Sequence, residues 1–404
     1  MSENHPEQLA ALWLPDGTPA RVLELAGGGK NNTTRIIEAG PERTRYVLRV
    51  YETHRDEAKL AFEHAVLLAL AELRREEAGP AVSGGAGRAG CGGSEDGAGS
   101  GGMGLAESMS GSRTGGVSGP AGMRLQTPVP QRLPDGATFA RVPAGEGSAD
   151  KLAALFSYTE GVNPALVSEA QLESFGRAVG LLSERLQRVR VPLQPAYRPY
   201  YELEHTHPLC PPHSVAAFCA EPPAAFRPLG AELLAIRDRL RQAGEALPGL
   251  RRLPHALVHG DLNASNVLAD ADGEIVAVLD FEFVTRDLRV MELAVCLSDV
   301  LDADEPGGAD ERSAGARVPA RPRVEALLRG YGARLTAAEV EALPLLVLLR
   351  RLDVFIHFLG RYWDGVDTEA MVREQIASAA SHIGWLDRHT GQLMELCRRY
   401  VLVP

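Results

Sequence analysis

Three polar residues stand at a spacing that suits catalysis. In "LVHGDLNASNVLADADGEIVAVLDFEF", Leu257 to Phe283, Asp261 is followed five positions later by Asn266 and fourteen further on by Asp280. The runs "NVLAD" and "IVAVLDF" are strand-like and flank Asp272-Gly273, a tight-turn dipeptide. If they pair, Asn266 opens the first strand and Asp280 closes the second. Both then lie at one end of a hairpin, beside the loop that carries Asp261. Such oxygen ligands suit Mg²⁺, which keeps several waters and takes one or two carboxylates together with substrate phosphates. A remaining carboxylate can accept the proton of an attacking hydroxyl. This is a layout for phosphoryl transfer. Asp and Asn taken singly are more often turn formers; the combination argues for chemistry.

The elements that must position these residues divide the chain unevenly. Residues 20 to 52 read as three short strands, with the Gly/Asn-rich turn "GGGKNNTT" between the first two and "TRYVLRVY" as the third. Arg55 to Glu77 has apolar residues at helical spacing and no Gly or Pro, which predicts a helix. Between Gly79 and Gly122, 17 of 44 residues are Gly, against about 7% in average proteins. Such a segment buries too little to offset its ordering entropy and is expected to be a flexible insertion. "RLQTPVPQRLPDGATFARV" suggests two short strands about a turn at Pro134-Asp135-Gly136, and "AALFSYTEG" a strand crossing between lobes. From Ser168, a candidate N-cap, the pattern is mostly helical. "RDLRVMELAVCLSDVL" reads as a helix, and Asp302 to Arg323 as a polar insertion ahead of three more helices. Strands first and helices after imply α+β with two lobes.

Composition bounds the function. With 404 residues the chain fits two lobes. A formal charge of −11 argues against a nucleic-acid partner. No apolar run is long enough for a membrane span and no signal peptide is evident. Five scattered cysteines without a CxxC pair fit reduced thiols and a cytoplasmic protein.

"HGDLNASN" followed by "LDFE" resembles the catalytic pattern of the aminoglycoside phosphotransferase/choline kinase superfamily, the small-molecule relatives of protein kinases. The layout is most similar to type II homoserine kinases and related phosphotransferases, with "YVLRVY" and "DFEFVTRDLRVMELAVCL" in support. The resemblance covers residues 20 to 77 and 123 to 390. It implies a protein-kinase-like fold: a small β-rich N-lobe over residues 1–157 holding the 79–122 insertion, and a larger helical C-lobe over 158–404 holding the 302–323 insertion.

The resemblance also implies roles. Asp261 would be the catalytic base, braced by His259, with Asn266 and Asp280 holding Mg²⁺ against the phosphates of ATP. Glu282 would reach a second metal or point to solvent. Glu292 stands where relatives usually carry Asp and would anchor the catalytic loop. The family's phosphate-binding lysine on the third strand is replaced by Arg49, whose forked donors keep phosphate binding possible. Its helix partner would be Glu63, with Glu57 as competitor. Gly28, Gly29 and Lys30 would cover phosphates, and the backbone of "LFSY" would meet the adenine edge.

For a small-molecule acceptor, Arg350, Asp353, His357 and Arg361 share one helix face by spacing, and Arg286 follows the metal motif. A carboxylate and an amine could bind there; a partly solvated helix face is the plainer reading. The expected reaction is transfer of the γ-phosphoryl of ATP to homoserine or a related amino alcohol. Aminoglycosides, choline, sugars or a protein Ser/Thr are alternative acceptors, and a degenerate nucleotide-binding scaffold is the alternative outside enzymes.

Overall fold

The computed structural model describes residues 6–25, 32–52, 56–78, 125–143, 150–302 and 320–403. Gly28, Gly29, Lys30, the whole 79–122 segment and residues 303–319 lie outside them. After a short helix α1 (Pro6–Ala10), strands β1 (Ala20–Leu25), β2 (Asn32–Ala39) and β3 (Thr44–Tyr51) run antiparallel. Helix α2 (Glu57–Ala78) follows, then β4 (Ala140–Val142) and β5 (Lys151–Ser157). The sheet order is β1-β2-β3-β5-β4, so β3 is central, with Arg49 paired to Thr34 on one side and Ala154 on the other. Leu60, Val66, Leu67 and Leu70 of α2 bury into the same core as Tyr51 and Phe156. That core fixes the helix against the face of the sheet near Arg49.

Of the two strands expected around Pro134, only the second forms, as β4. Residues 125–139 contribute isolated bridges, at Gln126 and Pro130. Pro128, Pro130 and Pro134 lack the N–H that a ladder needs. The expected turn is present: Leu133 N donates to Ala137 O at 2.7 Å and Gly136 takes a φ of +90°.

The remaining chain is built on helices α3 (Glu169–Arg188), α4 (Pro212–Ala220) and α5 (Gly230–Leu250), then α6 (Met291–Asp302), α7 (Ala320–Tyr331), α8 (Ala337–Trp363) and α9 (Glu369–Tyr400). Ser168 caps α3 by accepting from Gln171 N. Thr336 and Glu339 form a reciprocal capping box at the start of α8, and Arg289 clamps the buried Glu339 carboxylate. Helices α3 and α7 cross almost in backbone contact. A Cβ on Gly180 would sit 1.6 Å from Tyr331 O, and one on Gly330 2.0 Å from Glu173 O. Glycine is required there by proximity alone.

Between α5 and α6 lie four short strands: β6 (His255–Val258), β7 (Val267–Ala269), β8 (Ile275–Val278) and β9 (Thr285–Leu288). The hairpin β7–β8 pairs Val267 with Val278, as the Asp-Gly turn predicts. Two expectations are corrected. Residues 286–288 form strand, not helix, because β9 pairs with β6 and buries Thr285 and Asp287 alternately. The polar insertion ends earlier than expected, since residues 320–323 already belong to α7, where Arg323 and Val324 are buried.

Candidate active site

The hairpin sets Asn266 immediately before β7 and Asp280 two residues beyond β8. Leu279 N donates to Asn266 O at 2.8 Å, tying the two strand ends together. Asp280 has φ of +59°, in the left-handed region that few non-glycine residues enter. Strain of this kind gathers at functional sites. On the preceding loop, Asn266 Nδ2 donates to the Asp261 carbonyl at 2.8 Å and to its carboxylate at 3.0 Å. Burial raises the Asp261 pKa above the ordinary carboxylate value, while the Arg350 guanidinium opposes that shift.

His259 is fully buried and serves as the loop's brace. Its Nε2 donates to Leu279 O at 2.8 Å, and its Nδ1 accepts from Asp261 N at 3.3 Å. Burial lowers its pKa, which keeps the ring in this neutral tautomer. Glu292, at the start of α6, accepts from His259 N at 2.5 Å and from Gly260 N at 3.3 Å. Gly260 has φ of +80°, and a Cβ there would meet the Tyr200 hydroxyl at 2.6 Å. The loop therefore needs glycine at this position on both counts.

From the sheet side, Arg49 Nη1 lies 3.2 Å from Asp280 Oδ1 and 3.8 Å from Glu63 Oε1. Burial works against its charge, but Asp280 and Glu63 hold its pKa above the ordinary value. Burial pushes Glu63 up to about 7 despite Arg49 beside it. Glu57 is not the partner; it pairs with Arg141 at 2.6 Å on the surface. Glu282 is buried with Oε2 3.4 Å from Asn32 Nδ2, so it faces the sheet lobe and not solvent.

A cleft of about 590 Å³ lies between the sheet and the helical part. Asn32, Arg49, Glu63, Asn266 and Asp280 line it, together with Phe156, Ser157, Tyr158 and Thr159 at the end of β5. A volume of this size is within the range of small-molecule sites. Three buried side-chain atoms on its wall have no hydrogen-bond partner among the described residues: Asn32 Oδ1, Arg49 Nε and Glu63 Oε2. Buried polar atoms are rarely left so. A ligand carrying anionic oxygens and a hydrated cation would satisfy both the donor and the acceptors.

The expected acceptor residues are split. Arg350 Nη2 lies 2.8 Å from Asp261 Oδ1, and its Nη1 3.4 Å from Asp353 Oδ2. Asp353 also accepts from the Thr206 hydroxyl at 2.7 Å. Arg361, eleven residues along α8 and so roughly 16 Å away, is taken up by Asp367 at 2.5 and 3.1 Å. His357 faces His207 with ring centroids 6.4 Å apart, and burial lowers its pKa to about 4. Arg286 is exposed on β9 and lines neither cavity beside the loop. The four residues of the α8 face thus do not converge on one small ligand; of them Arg350 contacts Asp261, with Asp353 behind it.

Sequence reading passed over three residues. Asn32 opens β2 and reaches Glu282. Asn163 Nδ2 donates to Ser265 O at 2.8 Å and to Val267 O at 2.9 Å, pinning the loop between Asp261 and β7. Lys59 is buried between the Tyr197 and Phe283 rings, at 4.6 and 5.4 Å from their centroids. Its signal was available: a lysine one turn before Glu63 on the buried side of α2.

Residues 120–327 match the family described as phosphotransferase enzyme family. A homoserine kinase of Acidiphilium cryptum is 30% identical over 251 residues, covering 61% of this chain and 67% of the relative. One of Polaromonas naphthalenivorans is 32% identical over 119 residues, 30% of this chain and 34% of the relative. The chain thus spans about a third of the length of the latter. Among solved structures, a microcompartment-associated aminopropanol kinase superposes with a TM-score of 0.55 at 17% identity, over 96% of this chain and 97% of that one. The chain belongs to the phosphotransferase enzyme family, and its fold is the kinase-like α+β arrangement of a sheet lobe and a helical lobe. No helix among the described residues is long and apolar enough to cross a membrane.

Proposed function

We propose that this protein is an ATP- and Mg²⁺-dependent small-molecule kinase that phosphorylates the hydroxyl of homoserine or a related amino alcohol. One observation carries the reading. Asn266 and Asp280 line the cleft that also holds Arg49, the backbone of Leu279 ties the two strand ends together, and the Asn266 amide donates to the Asp261 carboxylate. Asn266 and Asp280 would hold the metal, which supplies positive charge to phosphate oxygens. Arg49, kept charged and in place by Glu63, binds phosphate from the sheet side. Asp261 orients the acceptor hydroxyl and takes its proton as the oxygen bonds to the transferred phosphorus; the bond to the ADP oxygen breaks. Positioning and charge neutralisation account for most of such catalysis.

Homoserine is favoured by the curated relatives, and an acceptor with amine and alcohol by the aminopropanol kinase likeness. The experiment is ADP release with Mg²⁺-ATP and a panel of homoserine, 3-aminopropan-1-ol, choline and an aminoglycoside. Selective turnover of either of the first two supports the reading. ATP binding without turnover of any acceptor would favour a scaffold instead.

A further inference from the structure

A second cavity, about 160 Å³, opens beside Asp261 and is walled by Asp261, Asn263, Ser298, Asp299, Arg350 and Arg351. A cavity of about 150 Å³ takes a benzene-sized molecule, so its walled space suits the head of a small acceptor. Its lining carries both signs of charge, as a zwitterion requires.

Arg350 is mounted there with unusual care. Asp353 holds it from behind, itself fixed by Thr206, and the guanidinium lies 5.2 Å over the Tyr200 ring. Its front edge reaches Asp261, the same carboxylate read as the base. These two roles of Asp261 conflict. Oδ1 faces the guanidinium at 2.8 Å and Oδ2 accepts from Asn266 Nδ2 at 3.0 Å, so each oxygen already has a partner and an acceptor hydroxyl must displace one. An incoming carboxylate, in turn, is repelled by Asp261 unless a cation stands between them.

We propose that Arg350 exchanges partners: it binds the carboxylate of a hydroxyl-bearing amino acid acceptor and thereby frees Asp261 to accept the hydroxyl proton. This rests on the phosphotransferase reading and names the acceptor class within it. Asp353 and Tyr200 keep the guanidinium in place during the exchange, and Asp299 offers negative charge to the acceptor's ammonium from the same wall. Decarboxylated acceptors lack the group that draws Arg350 away and are therefore poor substrates.

The test compares L-homoserine with 3-aminopropan-1-ol, the same molecule without its carboxylate, in wild type, Arg350→Lys and Arg350→Met. Wild type is expected to favour homoserine in kcat/KM by at least about tenfold. Arg350→Met should bring the ratio near one, and Arg350→Lys should fall between. Wild-type rates within twofold of each other, or a ratio that survives Arg350→Met in a variant with unchanged melting behaviour, would overturn the proposal. Calorimetric titration with L-homoserine separates this from failure of the parent reading. If no acceptor is phosphorylated, the parent reading fails, while homoserine binding lost in Arg350→Met still upholds the carboxylate site. No wild-type binding, or binding that Arg350→Met leaves intact, removes the site.

Discussion

The Asn266 side-chain amide donates twice to Asp261, at 2.8 Å to its carbonyl and at 3.0 Å to its carboxylate. One group thus fixes both the bend of the loop and the aim of the Asp261 carboxylate. A hydrogen bond to a charged partner contributes about 1.5–3 kcal/mol. Asn266→Ala should therefore lower kcat roughly ten- to a hundredfold and raise the Mg²⁺ concentration needed for half-maximal rate. A coupled ADP-release assay over a Mg²⁺ series measures both; no change in either would remove Asn266 from the site.

The crossing of α3 and α7 predicts a contrast between two glycines. Gly180→Ala drives a methyl into Tyr331 O and should cost at least about 1–3 kcal/mol, the usual penalty for overpacking. Gly244→Ala, on the exposed side of α5 with nothing within 4 Å, should stabilise by up to about 1 kcal/mol. Urea midpoints at constant slope report both. Equal midpoints for the two variants would mean that the close crossing is not maintained in solution.

A buried histidine gives the pH dependence. His64, on α2, packs edge-on to Phe139 and Phe156 and meets the Thr138 hydroxyl at 2.7 Å. Burial, aided by nearby Arg49, lowers its pKa to about 3 from 6.5. The unfolded chain thus binds a proton below pH 6.5 that the folded chain refuses until about pH 3. Its stability contribution is complete above pH 6.5 and is lost as pH falls through that window. The slope approaches about 1.4 kcal/mol per pH unit at full effect. In His64→Gln the decline of urea midpoint from pH 6.5 to 4 should be shallower than in wild type. Parallel declines would show that His64 titrates normally.

The β7–β8 hairpin was legible because its signals are local. Asp272-Gly273 fixes the turn, strand alternation fixes the register, and Asn266 and Asp280 follow at matched ends. Glu63 over Glu57 was also readable from helical spacing. The acceptor side was not, because a shared helix face says nothing of how far a ligand extends along it. Arg350 and Arg361 are in phase yet meet different partners, Asp261 and Asp367. Residues 286–288 misread as helix because the strand that pairs with them lies some thirty positions earlier, at β6. Lys59 is readable as a lysine on the buried side of α2, but its surroundings are not, because the rings that enclose it come from Tyr197 and Phe283, more than a hundred residues away.

If Asp261 accepts the acceptor's proton at a Mg²⁺–ATP site, its carboxylate is needed for turnover and not for nucleotide binding. Steady-state ADP release with homoserine, measured for wild type and Asp261→Asn alongside equilibrium titration of Mg²⁺-ATP, tests it most directly. In Asp261→Asn, kcat is expected to fall roughly 10²–10⁴-fold, the usual weight of a general base, with nucleotide affinity nearly unchanged. Undiminished turnover in Asp261→Asn would contradict it.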